Sequence, residues 1–413
     1  MSTPGHRASP LDIDLGHGRS SEQLRPHNLS IVLRYLHLAG PLSRSDLTQR
    51  MELSRSTVAT LVAELAERGL VVEGPPRGPA GPGRPSPEVR LAENGPVALA
   101  VEIAVDSLAV AIVGLGGQVR RQVRVDRRRE PMSTADVVAE VQRLGQPLLL
   151  APPVQRLVGI GVSIVGVVRR DDGLVRIAPN LGWRDEPLGD LVASAFDEPV
   201  PVHVGNDADL GALAEHQRGA GVGVDDFVFL YGEVGVGGGV ILDGRPLRGA
   251  DGYSGEIGHV TVNPDGHPCG CGSRGCLETE VGEPALLRAA GADPTRGGRE
   301  AVDEVLRAAA AGDERALRAL REVGRWLGIG VAGIVNTFNP RRVVLGGYFA
   351  RIHHHVESQI ESALDARALP APRASVEVVA SRLGSEAPLL GAAELAFAPL
   401  LADPTLVTPR VEG

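Results

Sequence analysis

The sequence contains no lysine, few aromatic residues, only three cysteines and no long apolar run. Every basic side chain is therefore an arginine or a histidine, which we interpret as a coding bias without mechanistic meaning. Three cysteines are too few for the disulfide framework of a small secreted protein. The apolar stretches are interrupted by charge or glycine before they reach the roughly 20 residues that a membrane helix requires, so a membrane-spanning helix is also excluded.

The length and the charge distribution indicate two or three domains, one of them basic. A chain of 413 residues is too long for a single hydrophobic core. Its net charge is -9, but residues 25–90 contain nine arginines and six carboxylates, a local charge of +3. A basic module on an acidic body is typical of a small DNA-binding domain. Residues 1–20 contain no apolar signal segment, so we expect a cytoplasmic protein.

All three cysteines lie within eight residues, in Cys269-Gly-Cys271-Gly-Ser-Arg-Gly-Cys276, and His259 precedes them by ten residues. Three thiolates and one imidazole complete the tetrahedral coordination of Zn²⁺, with Zn–S distances of about 2.3 Å. The intervening glycines allow tight turns that bring the thiolates together. The pattern predicts a structural zinc site held by His259, Cys269, Cys271 and Cys276. The alternative is free thiols, or one disulfide in an exported protein.

Three helices are predicted near the amino terminus, after a tail over residues 1–22 that is rich in glycine, serine, proline and charge. The first helix has an apolar face at helical spacing and ends at Gly40-Pro41. Ser43 caps the second helix, with Asp46 as the reciprocal acid three residues later. A hydrophobic staple around Ser54 starts the third helix.

The short turn between the second and third helices has the length of a helix-turn-helix motif. Two predicted strands, residues 70–73 and 88–91, form a wing around a segment that is rich in glycine and proline. The third helix would read a major groove, and Arg84 of the wing would enter a narrow minor groove, where arginine is electrostatically favoured. The alternative is a three-helix protein-interaction module, with Arg84 as a solvated linker charge. The candidate DNA-binding residues are Arg55, Ser56, Thr57, Thr60 and Arg84.

From Gly95 onward, predicted strands alternate with helices. Apolar strands are predicted at residues 97–103, 108–113 and 158–164, and a later strand at 227–231 leads into the glycine-rich loop Gly235–Gly239. This alternation, with glycine pairs at strand ends, predicts two α/β lobes with ligands in the cleft between them. A glycine-rich loop alone is weak evidence for phosphate binding, and tight packing at a lobe junction is the alternative.

These motifs resemble the regulators of the ROK family of repressors, open reading frames and sugar kinases, and most closely its xylose-repressor-like branch. The resemblance extends over roughly residues 25–400. Its most specific part is Glu256-Ile-Gly-His259, followed by the CxCGxxGCxE segment from Cys269 to Glu278. It implies a ribonuclease-H-like, actin-type ATPase domain of two α/β lobes, preceded by a winged helix-turn-helix domain. It also implies a C-terminal helix that returns to the first lobe.

The resemblance further implies a division of the chain and a set of sugar ligands. We expect a disordered tail over 1–22, a winged helix-turn-helix domain over 23–92, a first lobe over 93–203 plus 388–413, and a second lobe with the zinc site over 204–387. In this family the sugar lies between the lobes. The residues that match the family's sugar ligands are Asn180, Asn206, Asp207, Glu256, His259 and Glu278. In the family's kinases, the aspartate that matches Asp207 is the general base.

Side chains of these types suit a carbohydrate. Convergent carboxylate and amide groups can pair with several ring hydroxyls, and each unmatched buried polar group costs about 1 to 3 kcal/mol. Each residue also has a simpler possible role: helix capping for Asn206 and Asp207, solvation for Glu256 and Glu278, zinc binding alone for His259, and loop shape for Asn180.

The sequence departs from the family's kinases at the positions that hold ATP. The kinases have an Asp-x-Gly-Gly-Thr turn after the first strand, and this chain has Glu102-Ile-Ala-Val-Asp-Ser107 instead. Both glycines are missing, β-branched Val105 blocks close approach of a phosphate, and the two carboxylates add repulsive charge. Tyr348 follows Gly346-Gly347, where the kinases usually have a third small residue. We therefore expect no enzyme activity.

We interpret the chain as a cytoplasmic, sugar-responsive transcription factor, a repressor of carbohydrate-utilisation genes that a sugar releases from its operator. The expected partners are an inverted-repeat operator, a monosaccharide or sugar phosphate, and further copies in a homodimer or homotetramer, with Zn²⁺ as the cofactor and no membrane. One alternative is an ATP-dependent sugar kinase with an appended DNA-binding domain. Another is a zinc-stabilised interaction protein without a small ligand. The identity of the sugar and the sign of regulation stay open.

Overall fold

The computed structural model describes residues 25–75, 86–153, 156–197, 199–250 and 252–409. The predicted tail over 1–22 and the candidate DNA-binding residue Arg84 lie outside these ranges. The described part contains two five-stranded sheets and two three-stranded sheets. None of its helices combines the length and the apolar character that a membrane crossing requires.

The amino-terminal domain consists of three helices and a wing. Its elements are α1 Arg25–Ala39, β1 Leu42–Ser43, α2 Arg44–Met51, α3 Arg55–Glu67, β2 Val71–Gly74 and β3 Glu88–Leu91. The predicted capping box is present, since Ser43 and Asp46 each accept a hydrogen bond from the other's backbone N–H. Ser54 caps α3. The wing has a third strand that the sequence did not reveal, because β1 pairs with β3 over only two residues.

The first lobe contains a five-stranded sheet in the order β11-β7-β4-β5-β6 and a small antiparallel sheet in the order β10-β9-β8. In the large sheet β4, β7 and β11 are parallel, and β5 and β6 continue it as antiparallel strands. The expected lobe boundary at residues 203–204 falls inside β11. The elements are β4 Val97–Ile103, β5 Ser107–Gly114, β6 Val119–Asp126, α4 Thr134–Leu150, β7 Leu157–Ile164, β8 Val167–Arg169, β9 Leu174–Ala178, β10 Trp183–Glu186, α5 Leu188–Ala195 and β11 Val202–Asn206.

The second lobe contains a sheet in the order β14-β13-β12-β15-β16, in which β12, β15 and β16 are parallel and β13 is antiparallel. Helix α6 connects the two lobes, and α13 follows the second. The elements are α6 Asp207–Arg218, β12 Phe227–Gly232, β13 Val236–Leu242, β14 Arg245–Pro246, α7 Leu277–Val281, α8 Glu283–Ala290, α9 Arg299–Ala310, α10 Glu314–Phe338, β15 Arg342–Gly347, α11 Tyr348–Arg367, α12 Pro370–Arg373, β16 Glu377–Ala380 and α13 Ala387–Ala402.

We expected the glycine-rich segment Gly235–Gly239 to form a loop, but most of it lies in β13. Gly239 pairs with Phe229 of β12, and the two preceding glycines continue the same register. A Cβ atom at Gly239 would lie 2.5 Å from the backbone oxygen of Ala208 in α6. Gly237 and Gly239 therefore allow α6 to pack directly on the sheet, whereas Gly238 faces Gly255 and Ile257. These glycines serve tight packing at the lobe junction rather than a phosphate loop.

Helix α13 returns to the first lobe, as the resemblance implies, and joins that lobe to the amino-terminal domain. Phe397 of α13 belongs to the same buried cluster as Leu36 of α1. Ser30 and Arg34 of α1 donate hydrogen bonds to the backbone oxygen of Leu401 in α13, at 2.6 and 3.1 Å. One hydrophobic cluster is therefore shared by the amino-terminal domain, α13 and the first-lobe sheet, while the first lobe has a second cluster of its own and the second lobe has a separate core.

Candidate functional site

A polar crevice lies between the lobes at the start of α6. The first lobe contributes residues 166–168, Arg170 and Asn206, and α6 contributes Asp209. The second lobe contributes Gly237 and Gly238 of β13 and the loop of residues 252–256. Two of the predicted sugar ligands, Asn206 and Glu256, line the crevice directly.

Asn206 caps α6 and lines the crevice at the same time. Its Oδ1 accepts hydrogen bonds from the backbone N–H groups of Ala208 and Asp209, at 2.9 and 3.1 Å. Its Nδ2 donates to the backbone oxygen of Gly166 at 3.0 Å. Since an amide nitrogen carries two protons, one donor is left for a ligand, and capping is compatible with sugar binding.

Asp207 is the first residue of α6 and is half-buried. Its Oδ1 accepts a hydrogen bond from the backbone N–H of Ala208 at 2.9 Å. Burial raises the pKa of this carboxyl to about 7, and the negative charge of Glu102 acts in the same direction. A carboxyl that titrates near neutral pH can accept a hydrogen bond from a hydroxyl or donate one to it.

Asn180 and Glu278 approach the start of β13 from opposite lobes. A Cβ atom at Gly235 would lie 2.5 Å from Glu278 Oε2 and 3.7 Å from Asn180 Nδ2. Glu278 Oε2 also accepts a hydrogen bond from the backbone N–H of Val236 at 3.3 Å. A Cβ atom at Gly237 would lie 3.8 Å from Asp207 Oδ1. Asn180, Asp207 and Glu278 therefore approach the glycines at the start of β13, although the two lobes supply them separately.

The four predicted zinc ligands form one cluster, whose ligand atoms all lie within 4.8 Å of one another. The Sγ atoms of Cys271 and Cys276 are 3.7 Å apart, and Cys269 Sγ is 3.6 Å from His259 Nδ1. Around a tetrahedral ion with typical Zn–S and Zn–N bonds, such pairs would be about 3.8 Å and about 3.6 Å apart. The cluster can therefore hold a tetrahedral metal ion.

The metal cluster borders the crevice through His259. The Nδ1 atom of this residue faces the thiolates, and its Nε2 lies 3.9 Å from Glu256 Oε2. The second imidazole nitrogen thus points to a carboxylate of the crevice wall, as is usual for a metal-binding histidine. Cys269 Sγ also lies 3.7 Å from Glu278 Oε1. The cysteine loop therefore fixes the surroundings of three predicted sugar ligands.

The turn between β4 and β5, which would bind phosphate in the family's kinases, is occupied by ion pairs of the protein itself. Arg124 donates to Glu102 at 2.8 Å. Arg129 donates to Asp106 at 2.8 Å and to Glu283 of the second lobe at 2.9 Å. We expected the two carboxylates to add charge that repels a phosphate, but each is instead paired with an arginine.

Tyr348 is buried where the kinases usually have a small residue. Its hydroxyl donates a hydrogen bond to the backbone oxygen of Val281, and its ring packs against Phe349 with 4.8 Å between ring centroids. The phenol therefore belongs to the core of the second lobe.

The predicted DNA-contacting residues that the structure describes lie in the first two turns of α3. Arg55, Ser56 and Thr60 are exposed, and Thr57 is half-buried. The hydroxyls of Ser56 and Thr57 each lie 2.8 Å from Ser54 Oγ, in the cap of the helix. Arg55 makes no ion pair within the described ranges, so its guanidinium group is available to DNA.

Sequence reasoning missed a buried polar cluster that joins α1, α6 and α13. Arg218, the last residue of α6, donates to Glu394 Oε1 at 2.6 Å and to the backbone oxygen of Gly116 at 2.8 Å. His37 of α1 contacts the other oxygen of Glu394. Helix α6 thus begins in the crevice and ends at the amino-terminal domain. No motif announces these contacts, because their partners are distant in the sequence.

Sequence reasoning also missed the ion pair between Arg170 and Asp209 in the crevice wall. Asp209 could have been found, since it is the last residue of the segment Asn206-Asp-Ala-Asp209 and shares a helical turn with the predicted ligands. Arg170 carries no such signal, because its partner is set by the folded structure.

The fold and the site define a class of protein: a winged-helix domain attached to a two-lobed α/β body with an interlobe crevice. The sequence profile of the ROK family matches residues 98–398, and that of the MarR family matches residues 30–80. The chain belongs to the ROK family.

Individual relatives agree with this assignment. The chain is 31% identical to the xylose repressor of Bacillus subtilis (strain 168) over 365 residues, which cover 88% of this chain and 93% of the repressor. It is similar in structure to a ROK-family transcriptional regulator that is a homolog of the E. coli MLC protein, with a TM-score of 0.75, 28% identity, and coverage of 92% of this chain and 98% of that one.

A kinase of the family matches a smaller share of the chain. The ROK-family glucokinase from Streptomyces griseus, solved with glucose and AMPPNP, has a TM-score of 0.64 and 28% identity, and covers 72% of this chain and 98% of its own. The sugar-kinase fold of the body and the winged-helix domain before it are thus confirmed.

Proposed function

We propose that the protein is a sugar-responsive transcriptional repressor, whose amino-terminal domain binds operator DNA and whose interlobe crevice binds a sugar. The observation that carries the proposal is the course of α6. This helix starts at the crevice with Asn206 as its cap and ends at Arg218, which lies 2.6 Å from His37 of the amino-terminal domain. Relatives named xylose repressor and N-acetylglucosamine repressor support this function.

In this proposal the crevice residues pair with the hydroxyl groups of one sugar ring. Carboxylate oxygens accept from hydroxyls and amide groups donate to ring oxygens, so the set can distinguish stereoisomers. Zn²⁺ would be held by His259 and the three cysteines and would keep the loop of His259 rigid. The proposed sugar ligands are Asn180, Asn206, Asp207, Glu256, His259 and Glu278.

Two copies, associated through the α/β body as a dimer or part of a tetramer, would place two α3 helices in successive major grooves. The operator is then an inverted repeat with half-site centres about 34 to 36 Å apart, or a multiple of that distance. The proposed DNA contacts are Arg55, Ser56, Thr57, Thr60 and Arg84. The division of the chain at residues 23–92, 93–203 with 388–413, and 204–387 is part of the same proposal.

The switch would use the shared core of the amino-terminal domain and the first lobe. Because these two parts pack as one unit, closure of the second lobe on a sugar would move both together relative to the second lobe. The spacing of the two α3 helices in a dimer would then change. A coupling free energy of about 1 to 3 kcal/mol between the sites is typical of such switches.

We further propose that the crevice binds sugar without phosphorylating it. The ion pairs of Glu102 and Asp106 fill the turn that would hold ATP phosphates, and Tyr348 fills space near the end of β15. Purified protein, ATP, Mg²⁺ and a panel of monosaccharides test this point. ADP formation at ordinary kinase rates of about 1 to 100 per second would contradict binding without phosphorylation and would support the alternative of a sugar kinase.

The main test is a DNA-binding titration with and without sugar. Operator fragments from the promoter regions of adjacent carbohydrate genes are titrated by fluorescence anisotropy at fixed salt. We expect one monosaccharide to weaken specific binding by about 5- to 150-fold and to leave the non-specific component unchanged. Specific DNA binding that no sugar or sugar phosphate alters would contradict the proposed response.

A further inference from the structure

Arg170 and Asp209 form an ion pair in the wall of the crevice. Arg170 follows β8, and Asp209 lies in the first turn of α6. The Nη2 atom of Arg170 is 2.6 Å from Asp209 Oδ2, and the side chains are 23% and 12% exposed. The Nη1 atom of Arg170 is buried and has no hydrogen-bond partner among the residues that the structure describes. A ligand oxygen in the crevice would satisfy this donor.

The charges around this pair do not favour an anion. Asp209 compensates Arg170 directly. Burial raises the pKa of Asp209, and the positive charges of Arg170 and Arg248 act in the opposite direction, so Arg248 also lies close to this carboxylate. These two arginines stand against Asp209 and Glu256, the two carboxylates that line the crevice, so the charges balance. A dianionic phosphate would therefore enter a site without net positive charge, and its desolvation would remain uncompensated.

The start of α6 offers no phosphate site either. A helix amino terminus binds phosphate through free backbone N–H groups. Here the N–H groups of Ala208 and Asp209 already donate to Asn206 Oδ1, and that of Ala208 donates to Asp207 Oδ1 as well. Two acidic side chains, Asp207 and Asp209, also offset the positive end of the helix dipole.

We infer that the crevice selects a neutral sugar over its phosphate ester, and that Arg170 and Asp209 determine this specificity. Arg170 donates to an uncharged oxygen of the ligand, while Asp209 orients the guanidinium group and cancels its charge. The inference rests on the proposed function and narrows its ligand class to neutral monosaccharides.

The test measures dissociation constants by isothermal titration calorimetry for xylose, glucose and N-acetylglucosamine, and for the 6-phosphates of the last two. We expect the wild-type protein to bind at least one neutral sugar, and to bind its phosphate at least 10-fold more weakly. Asp209→Asn keeps the shape of the side chain but frees the charge of Arg170, so the preference for the neutral sugar should fall by about 10-fold. Arg170→Gln should weaken binding of the neutral sugar about 10-fold without strengthening binding of the sugar phosphate.

A neighbouring ion pair provides the matched control. Arg169 and Asp172 are the same residue types, lie beside Arg170 in the sequence, and are 46% and 47% exposed. Asp172→Asn and Arg169→Gln should keep the affinities for the neutral sugar and for its phosphate within twofold of the wild-type values. Thermal unfolding of every variant shows whether the protein is folded.

The outcomes separate this inference from the function on which it rests. A wild-type protein that binds a sugar phosphate more tightly than the neutral sugar would overturn the selectivity but keep the proposed sugar response. A folded Asp209→Asn protein with an unchanged preference would show that the pair does not determine specificity. If no sugar and no phosphate binds, the proposed function itself fails, and the inference fails with it.

Discussion

His37 and Glu394 are 357 positions apart in the sequence, and their side chains meet in a buried contact with 2.7 Å between Nε2 and Oε2. The backbone N–H of Gly116 donates to His37 Nδ1 at 3.0 Å, and Arg218 Nη2 lies 2.6 Å from His37 Nε2. Burial alone would raise the pKa of Glu394, but His37 and Arg218 outweigh it and hold the pKa at about 2. The carboxylate therefore links the DNA-binding domain to the body at any physiological pH.

Glu394→Gln should loosen this link. The amide cannot compensate the guanidinium group of Arg218, and breaking a buried ion pair on one side typically costs about 3 to 5 kcal/mol of unfolding free energy. Because the folded pKa of Glu394 is lowered, its stabilisation is present above the unfolded pKa and is lost as the pH falls through the range from about 4.5 to 2. Denaturant unfolding at pH 7 and at pH 3 should show a large difference at pH 7 and a smaller one at pH 3.

Glu93→Gln is the control for this variant. Glu93 also pairs with an arginine, Arg90, but its side chain is 85% exposed. Its removal should change the unfolding free energy by less than about 1 kcal/mol. Equal stabilities for the two variants would show that the buried contact does not hold the domains together.

Arg55→Ala should weaken specific operator binding by about 1 to 3 kcal/mol, because Arg55 is an exposed cation at the start of α3 with no ion pair to any residue that the structure describes. Competition against random DNA at constant salt measures the specific part. Arg321→Ala, an exposed arginine on α10 of the second lobe, should leave operator affinity unchanged. Unaltered binding by the Arg55 variant would remove α3 as the element that reads DNA.

Those parts of the fold that depend on local signals could be predicted from the sequence. The capping box of Ser43 and Asp46 is a three-residue pattern, and the cysteine spacing brings its ligands together within one loop. The helices of the amino-terminal domain could be predicted for the same reason, because apolar periodicity and capping residues are local patterns in the sequence.

Features that depend on tertiary contacts could not be predicted. Gly237 and Gly239 of β13 are explained only by the approach of Ala208 in α6, which the sequence does not show. The expectation that Glu102 and Asp106 repel a phosphate does not include their arginine partners, because these follow more than twenty residues later in the sequence. In the sequence, Arg218 is only the last residue of a predicted helix. Its contacts with His37 of α1 and Glu394 of α13 become visible only in the folded structure.

Asp207→Asn should stabilise the ligand-free protein above neutral pH. Burial raises the pKa of Asp207 to about 7, far above the value of about 3.9 for an unperturbed aspartate, so the charged form is disfavoured in the folded state. A raised pKa contributes stability that is complete below about pH 4 and is lost as the pH rises through 7. The variant carries no charge, so its advantage in unfolding free energy should grow from pH 5 to pH 8, to the order of a few kcal/mol.

The same variant should lose the response to sugar while it keeps operator binding, since Asp207 follows the crevice residue Asn206 at the start of α6 and lies outside the DNA-binding domain. Asp265→Asn, at an exposed position in the second lobe, serves as a control and should keep the response to sugar. A stability difference for Asp207→Asn that stays constant from pH 5 to pH 8 would contradict the raised pKa. A retained sugar response would contradict the assignment of the crevice.

Cys271→Ser should lower the metal content and weaken sugar binding before it affects DNA binding. The cysteine loop fixes His259 and approaches Glu278 to 3.7 Å, so its loss should reduce sugar affinity at least 10-fold. Operator affinity should stay within twofold, because the DNA-binding domain shares its core with the first lobe and not with the second. Inductively coupled plasma mass spectrometry measures bound zinc, and calorimetry and anisotropy measure the two affinities.

Asp265→Ala, a nearby exposed change, should retain metal and both affinities. A metal-free Cys271→Ser protein with native sugar affinity would show that the cluster has no part in sensing, and a parallel loss of DNA affinity would show that it supports the whole fold rather than the crevice.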